Sequence, residues 1–538
     1  MPRPRTPGRT LLVVADRIHA GAANGPDPLK ANAVLIRDGR IAAVGLADGL
    51  RRIAGSVPTL DLPGATITPG LADAHIHLTE WAFARRELDL TDARDPEHAA
   101  DLVEAQAPTG GWIRGRGWNP HRWGGESPHR RTLDRRFPER PVALQSHDMH
   151  ALWVNAEALR RAGIDAETPD PADGRIVRDE HGEPTGLLLE SAARLVVDRM
   201  PPPSFDDAVA AVLDAQRALH ALGITAVHSF PGIHVRDPDP LPVLEALRAR
   251  DLLRLRVLHH IALEKLDHAI ALGLRSGFGG EWIRIGGVKI FLDGALGSRT
   301  AWMREPYEGE AQCGMRVLDP EDFLHTVKRA AGAGIASTVH AIGDAAVALA
   351  LDVLTRDALR VEGLPHRIEH VQCCPADLLP RTGLGGIVCS MQPAHLITDW
   401  TAADRHWGER ARWTYAFRSL LEHGARLAFG SDAPVEPVDP RLAFHAALTR
   451  TDLAHRPEDG WYARERITAA QVLEAYTAGP AAAAGAVGWL GSLTPGAAGD
   501  LAAWDADPLT LRDAAGALGL MCRATVVAGE IVYSVPSH

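Results

Sequence analysis

Two histidines, His75 and His77, close the apolar run Leu71-Ala72-Asp73-Ala74-His75-Ile76-His77. On an extended strand that spacing turns both imidazoles to one face, where they can share a metal ion. The stretch Ala65-Thr66-Ile67-Thr68-Pro69-Gly70 in front reads as a strand entry with a turn, which fits an extended pair. A second unusual group is Lys289. Lysine occurs only at positions 30, 265, 289 and 328, so nearly all of the 57 basic residues are arginines. Lys289 lies in Ile285-Gly286-Gly287-Val288-Lys289-Ile290-Phe291-Leu292-Asp293, an apolar, strand-like run in which a free ammonium is expensive to bury. A buried amine gives up its proton readily and a guanidinium does not. The neutral amine can add carbon dioxide and become a carbamate, a two-oxygen ligand able to bridge two divalent ions. The plainer alternative is a lysine whose stem packs in the strand while its head reaches water or pairs with Asp293.

Three further groups end short apolar runs. His340 follows Ala336-Ser337-Thr338-Val339 and precedes the turn-like Gly343-Asp344. In His366-Arg367-Ile368-Glu369-His370, strand alternation puts His366 and His370 on the face opposite Arg367 and Glu369. Asp432 ends Leu427-Ala428-Phe429-Gly430-Ser431, with Ala433-Pro434 stopping the strand. Singly, each also fits a structural role: a hydrogen-bonded core histidine, or an aspartate at a helix start or turn.

Taken in order, the set resembles the amidohydrolase superfamily, and most closely its amidohydrolase family 3, the group of N-substituted formamide deformylase-like metal-dependent hydrolases. The resemblance rests on Pro69 through His77, Val288 through Thr300, His340-Ala341-Ile342-Gly343-Asp344, Arg367-Ile368-Glu369-His370, and Gly430-Ser431-Asp432-Ala433-Pro434. Gly496 through Ala502 and Val527-Ala528-Gly529-Glu530 extend it over nearly the whole chain. It implies that His75 and His77 hold one ion with Asp432, that His340 and His370 hold a second, and that N6-carboxylated Lys289 bridges them. Zn2+ suits mixed imidazole and carboxylate ligation, with Mn2+, Co2+ or Fe2+ as substitutes and about two ions per chain. It further implies a metal-activated hydroxide that attacks a small-molecule amide, formamide or related C–N bond, with Asp432 moving the proton.

Two other readings stay open. A mononuclear deaminase of a nitrogen heterocycle shares the His-x-His opening, but needs a glutamate shortly after His340, where Ala341-Ile342-Gly343-Asp344 stand, and leaves Lys289 without a role. The third is a non-catalytic, metal-dependent small-molecule binder, against which stands a ligand set with no visible gap.

These side chains need a scaffold that gathers strand ends. The expected fold is α/β, a (β/α)8 TIM-like barrel with a small β-sandwich built from both chain ends and an inserted subdomain after the first barrel strand. Candidate barrel strands are 72–77, 224–228, 254–259, 283–291, 337–340, 367–371, 386–391 and 426–430, with helical runs such as 205–222, 241–250, 320–333 and 345–356 between them. β-like runs at both ends make residues 1–64 and 481–538 the two halves of the sandwich. The barrel takes 65–480, with the insertion at about 110–205; Pro63-Gly64 and Thr494-Pro495-Gly496 read as boundaries.

Other candidates bear on specificity. His395, after Met391-Gln392-Pro393-Ala394, is placed to hydrogen-bond a developing oxyanion, with Asp399 to orient it or to contact substrate. Trp112, Trp118 and Trp123 with Asn119 and His121 form an aromatic and polar cluster. From it Trp118 is taken as a substrate contact, with subdomain packing as the alternative. His150, beside His147, and His228 are taken as further substrate contacts, and the doublet His259-His260 as core and rim without a ligand role.

Composition excludes other classes. The 538 residues, 46% of them hydrophobic, can bury a large core, and a net charge of −11 with no basic patch interleaved with aromatics argues against nucleic acid. Five cysteines, Cys313, Cys373, Cys374, Cys389 and Cys522, show no Cys-x-x-Cys spacing and read as reduced. Leu11 through Ala15 is too short for a signal-peptide core, and no run is long enough to span a bilayer. A soluble cytoplasmic enzyme with a small-molecule amide-type substrate and no membrane partner is expected. The resemblance adds a homodimer, since family members often dimerise.

Overall fold

Short apolar runs bounded by glycine, proline and polar turns become eight parallel strands in the computed structural model, which describes residues 10–21, 31–107, 110–123, 127–146, 151–171, 174–232 and 239–535. In chain order they are β1 (Leu71–Ile76), β2 (Ile224–Ser229), β3 (Arg256–Ala262), β4 (Ile283–Phe291), β5 (Ser337–Ala341), β6 (Arg367–His370), β7 (Val388–Met391) and β8 (Arg426–Phe429). Each pairs with its neighbour in sequence, and helices such as Pro240–Ala249, Pro320–Gly332 and Asp344–Leu354 fill the crossovers. Strands this fully buried carry apolar runs rather than alternation, as parallel sheets covered by helices require.

The barrel closes between β8 and β1 without a full ladder. Asp432 N–H donates to His75 O at 2.7 Å and His77 N–H to Ala433 O at 2.9 Å, around an isolated parallel bridge from Ile76 to Ala433. The closing contact is therefore made by the backbone of the candidate metal ligands themselves. Gly430 permits the approach, because a Cβ there would lie 2.3 Å from the His75 nitrogen.

Both chain ends join one continuous seven-stranded sheet. Its order is Glu530–Ser534, Cys522–Val527, Leu501–Trp504, Thr59–Pro69, Thr10–Ile18, Ala33–Arg37 and Arg40–Gly45. Pro63-Gly64, read from sequence as a boundary, lies inside the central Thr59–Pro69 strand. There the pairing with Thr10–Ile18 jumps from Ala15↔Leu62 to Arg17↔Thr66, and Gly64 adopts φ +76°. A Pro-Gly pair signals a break in regular pairing, and a bulge meets that need as well as a linker does. Arg256 of β3 fastens this sheet to the barrel. Its guanidinium donates to both carboxylate oxygens of buried Asp500 and lies between the Trp282 and Trp489 rings, 4.9 and 5.2 Å from their centroids.

The chain divides into two compact units, residues 1–81 with 212–538, and Ala82–Ala211. The second carries a six-stranded sheet ordered Gly174–Arg178, Pro184–Glu190, Ala151–Val154, Val142–Ser146, Ile113–Trp118 and Leu88–Asp89. No helix among the described residues is long and apolar enough to cross a membrane.

Removing one partner of a buried ion pair strands the other, at about 3–5 kcal/mol. Asp500→Ala, which also removes the acceptor for Ala528 N–H at 2.8 Å, should lower the urea midpoint by a corresponding amount. A midpoint within error of wild type would show that Arg256 finds compensation elsewhere.

Candidate metal centre

His75 and His77 stand at the end of β1 with their Nε2 atoms each 3.3 Å from Asp432 Oδ1. All three residues are buried, and their donor atoms lie within 4.8 Å of one another. The other ring nitrogens are fixed: His75 Nδ1 donates to Glu369 Oε2 at 2.6 Å and His77 Nδ1 to the Pro231 carbonyl at 2.6 Å. Carboxylates and carbonyls only accept, so Nδ1 carries the hydrogen in each ring and Nε2 presents a lone pair. Burial, reinforced by the charge of Lys289, brings the His75 pKa down to about 4, so the ring is neutral. His75 Nε2 is buried without a hydrogen-bond partner. Two lone pairs facing a carboxylate oxygen repel unless a cation joins them. Tetrahedral zinc, with bonds of about 2.0–2.2 Å, separates its ligand atoms by about 3.3 Å, so the residues present fit a divalent ion.

Beneath them lies a buried charge network absent from the expected site. Arg367 and Glu369 are fully buried and paired at 2.5 Å. Arg367 Nη2 also donates to Ala74 O at 2.6 Å and Ser390 Oγ at 2.7 Å, and Nη1 to His228 Nδ1 at 2.7 Å. Burial alone raises the Glu369 pKa; the Arg367 guanidinium and His75 outweigh it and hold the carboxyl well below its ordinary value. Glu369 thus stays ionised and fixes the His75 tautomer.

Lys289 enters the same interior. It is buried, and its Nζ has no hydrogen-bond or ion-pair partner among the described residues. The Phe230 ring lies 4.7 Å from it and the Phe291 ring 4.8 Å. Burial lowers its pKa to about 8 against the opposing pull of Glu369 and Asp432. The alternative pairing with Asp293 does not form. Asp293 instead accepts backbone N–H groups of Trp302 at 2.9 Å, Ile342 at 3.1 Å and Gly343 at 2.7 Å.

His340 and His370 meet edge to face, 4.5 Å between centroids, and His370 lies 5.3 Å from the His75 ring. His340 Nε2 donates to Gly294 O at 3.0 Å, which leaves Nδ1 as its free lone pair. His370 corrects the alternation read from sequence. His340 is in register with Glu369, so Glu369 faces the interior, and regular pleating sends His370 outward. Instead His370 adopts φ +72° and Val371 φ +45°, and the chain leaves β6 with the imidazole turned into the site. Asp432 has φ +60°. Left-handed backbone at bulky residues costs about 1–3 kcal/mol each and collects where function demands it. His366 remains structural, accepting from Ser337 N–H and donating to Leu359 O.

His395 Nε2 has no hydrogen-bond partner and lies 3.8 Å from Asp432 Oδ2. Asp399 does not orient it. One turn further along the helix His395–Trp407, its carboxylate accepts from Gln372 Nε2 at 2.9 Å and Tyr415 OH at 2.7 Å, which anchors the helix. His228 is likewise committed to Arg367 and buried. Trp118 belongs to the core of the second unit, stacked on Trp123 at 5.4 Å and donating to Leu144 O, so packing accounts for it. His147 and His150, and the side chain of His121, lie outside the described residues. The functional residues missed from sequence are Arg367, Glu369 and Phe230, whose ring stacks on His75 at 3.9 Å.

Comparison with known proteins gives the family. The chain belongs to the amidohydrolase family, whose model matches residues 59–533. It is 32% identical over 518 residues to YtcJ of Bacillus subtilis (strain 168), an amidohydrolase by name, covering 94% of this chain and 96% of that protein. With the N-substituted formamide deformylase of Arthrobacter pascens it shares 28% identity over 514 residues, 89% of this chain and 91% of the other. A metal-dependent hydrolase of Pyrococcus horikoshii OT3 superposes with a TM-score of 0.78 at 28% identity, covering 94% and 99% of the two chains. The chain is therefore an enzyme, a metal-dependent hydrolase of the amidohydrolase family acting on C–N bonds.

Losing a hydrogen-bond partner behind a metal-bound histidine typically costs about 10–100-fold in affinity. Glu369→Gln should weaken zinc binding by that factor in a chelator competition while circular dichroism shows a folded protein. Unchanged affinity would remove Glu369 from the metal centre.

Proposed function

We propose that this chain hydrolyses an amide, formamide or related C–N bond of a small molecule, using two divalent ions. His75, His77 and Asp432 would hold the first ion, and His340 and His370 the second. Lys289 would bridge them after its neutral Nζ bonds to the carbon of CO2 and releases one proton. The observation that carries this reading is an unpartnered, buried amine in one interior with four imidazoles and a carboxylate. Zinc, the first choice for these donors, supplies a lowered pKa for water and a Lewis acid for the carbonyl.

The protein residues supply the rest. Asp432 turns Oδ1 to the two histidines and Oδ2 toward His395, so one oxygen serves as ligand while the other faces the reacting groups. Asp432 Oδ2 takes the proton given up by the attacking water and passes it to the leaving nitrogen. His395 Nε2 donates a hydrogen bond to the carbonyl oxygen as negative charge gathers there. Water adds to the carbonyl carbon, the C–N bond breaks, and a carboxylic acid and an amine leave. Unpaired thiols at all five cysteines favour the cytoplasm as the site of this chemistry.

Lys289→Ala should lower both bound metal and turnover, with short-chain acids restoring part of each by occupying the space of the carbamate. Lys289→Arg should not be rescued. Full metal content in Lys289→Ala would contradict the bridging role. Asp432→Asn should keep much of the metal yet lose turnover by a factor of about 10²–10⁴, the usual worth of a positioned general base. Turnover equal to wild type would remove Asp432 as the base.

A further inference from the structure

We infer that Phe291 selects the substrate, favouring amides that carry an aromatic or branched apolar substituent next to the scissile bond; this rests on the hydrolase reading above. Phe291 follows Lys289 by two residues on β4, so pleating turns both side chains to the same face. In the parallel ladder Phe291 is also in register with His340 of β5. The side chains agree with the backbone: the Phe291 ring is 4.8 Å from Lys289 Nζ and 4.9 Å from the His340 ring. Lys289 and His340 are nevertheless buried, whereas Phe291 is 43% exposed. It is the exposed last residue of β4, in ring contact with two buried candidate ligands.

Isolated exposed apolar residues are ordinary on a protein surface and need no explanation. This one is set apart by its position, because its exposed ring touches both Lys289 and His340 at the carboxyl end of β4, the end at which such barrels meet their substrates. A second exposed apolar side chain, Val435 at 47%, lies three residues beyond Asp432, in a turn closed by Val435 N–H to Asp432 O at 3.0 Å. β4 and β8 are four strands apart in an eight-stranded barrel, so the two residues follow strands on opposite sides of it. Such walls gain from covering apolar surface and gain nothing from a charged or strongly hydrated substituent.

The test uses the full-length, zinc-loaded protein and matched probes. N-Benzylacetamide and N-methylacetamide present the same acyl group, release alkylamines of similar basicity and differ in the ring. Wild type should prefer N-benzylacetamide by about tenfold or more in kcat/KM, within the range apolar pockets achieve. Phe291→Ala should erase most of that preference through KM, and Phe291→Leu should keep part of it, with zinc content matching wild type in both. A preference that survives Phe291→Ala, or an equal loss on both amides, overturns the inference. If neither amide is cleaved, the hydrolase reading fails for these acyl groups, and binding alone judges the ring. By calorimetry acetophenone, which lacks the C–N bond, should bind wild type about tenfold more tightly than Phe291→Ala. Equal binding, or none, overturns the inference independently of turnover.

Discussion

The candidate metal centre is built on a fully buried ion pair. Arg367 and Glu369 face each other in the barrel interior, and the carboxylate spends its second oxygen on the Nδ1–H of His75. Buried ion pairs are weak as sources of stability, because desolvation offsets the attraction. Their worth is in specificity: an ionised Glu369 tolerates one tautomer of His75, and that tautomer alone presents Nε2 to a metal. Arg367 extends the constraint through Ala74 O of β1, His228 of β2 and Ser390 of β7, so the orientation of one imidazole is tied to strands around the barrel.

Closure of the barrel and assembly of the candidate site share the same backbone contacts. The strands β8 and β1 are joined through the backbone of His75, His77, Asp432 and Ala433, where a regular ladder is missing. A regular parallel pair would keep Asp432 and His370 in extended conformations and send alternate side chains out of the site. Left-handed backbone at both residues, and at Val371, turns them inward. That strain is sustained by the buried strands around it and spent on bringing ligands from distant parts of the chain together.

Much of this was legible in the residues. All eight barrel strands follow from apolar β-rich runs ended by glycine, proline or a polar turn, and the chemistry-bearing residues end those runs. The face of His370 was not legible, because alternation assumes regular pleating and the positive φ at His370 and Val371 departs from it. Arg367 and Glu369 carried a signal: opposite charges two apart within a four-residue buried strand share a face and must be paired. The partners of Asp399, Gln372 and Tyr415, come from other loops, which spacing along its own helix cannot reveal. Trp118 shows the limit of residue type as evidence. A tryptophan suits a substrate wall and a subdomain core equally, and only its packing against Trp123 and Trp153 decides.

The most direct measurement of the central claim is anomalous diffraction at the zinc edge from crystals of the zinc-loaded chain. The account requires a peak within about 2.0–2.2 Å of His75 Nε2, His77 Nε2 and an Asp432 oxygen, with density for a carboxyl group continuing from Lys289 Nζ. Zinc bound elsewhere, or a His75 ring turned so that Nδ1 rather than Nε2 meets the metal, would contradict it.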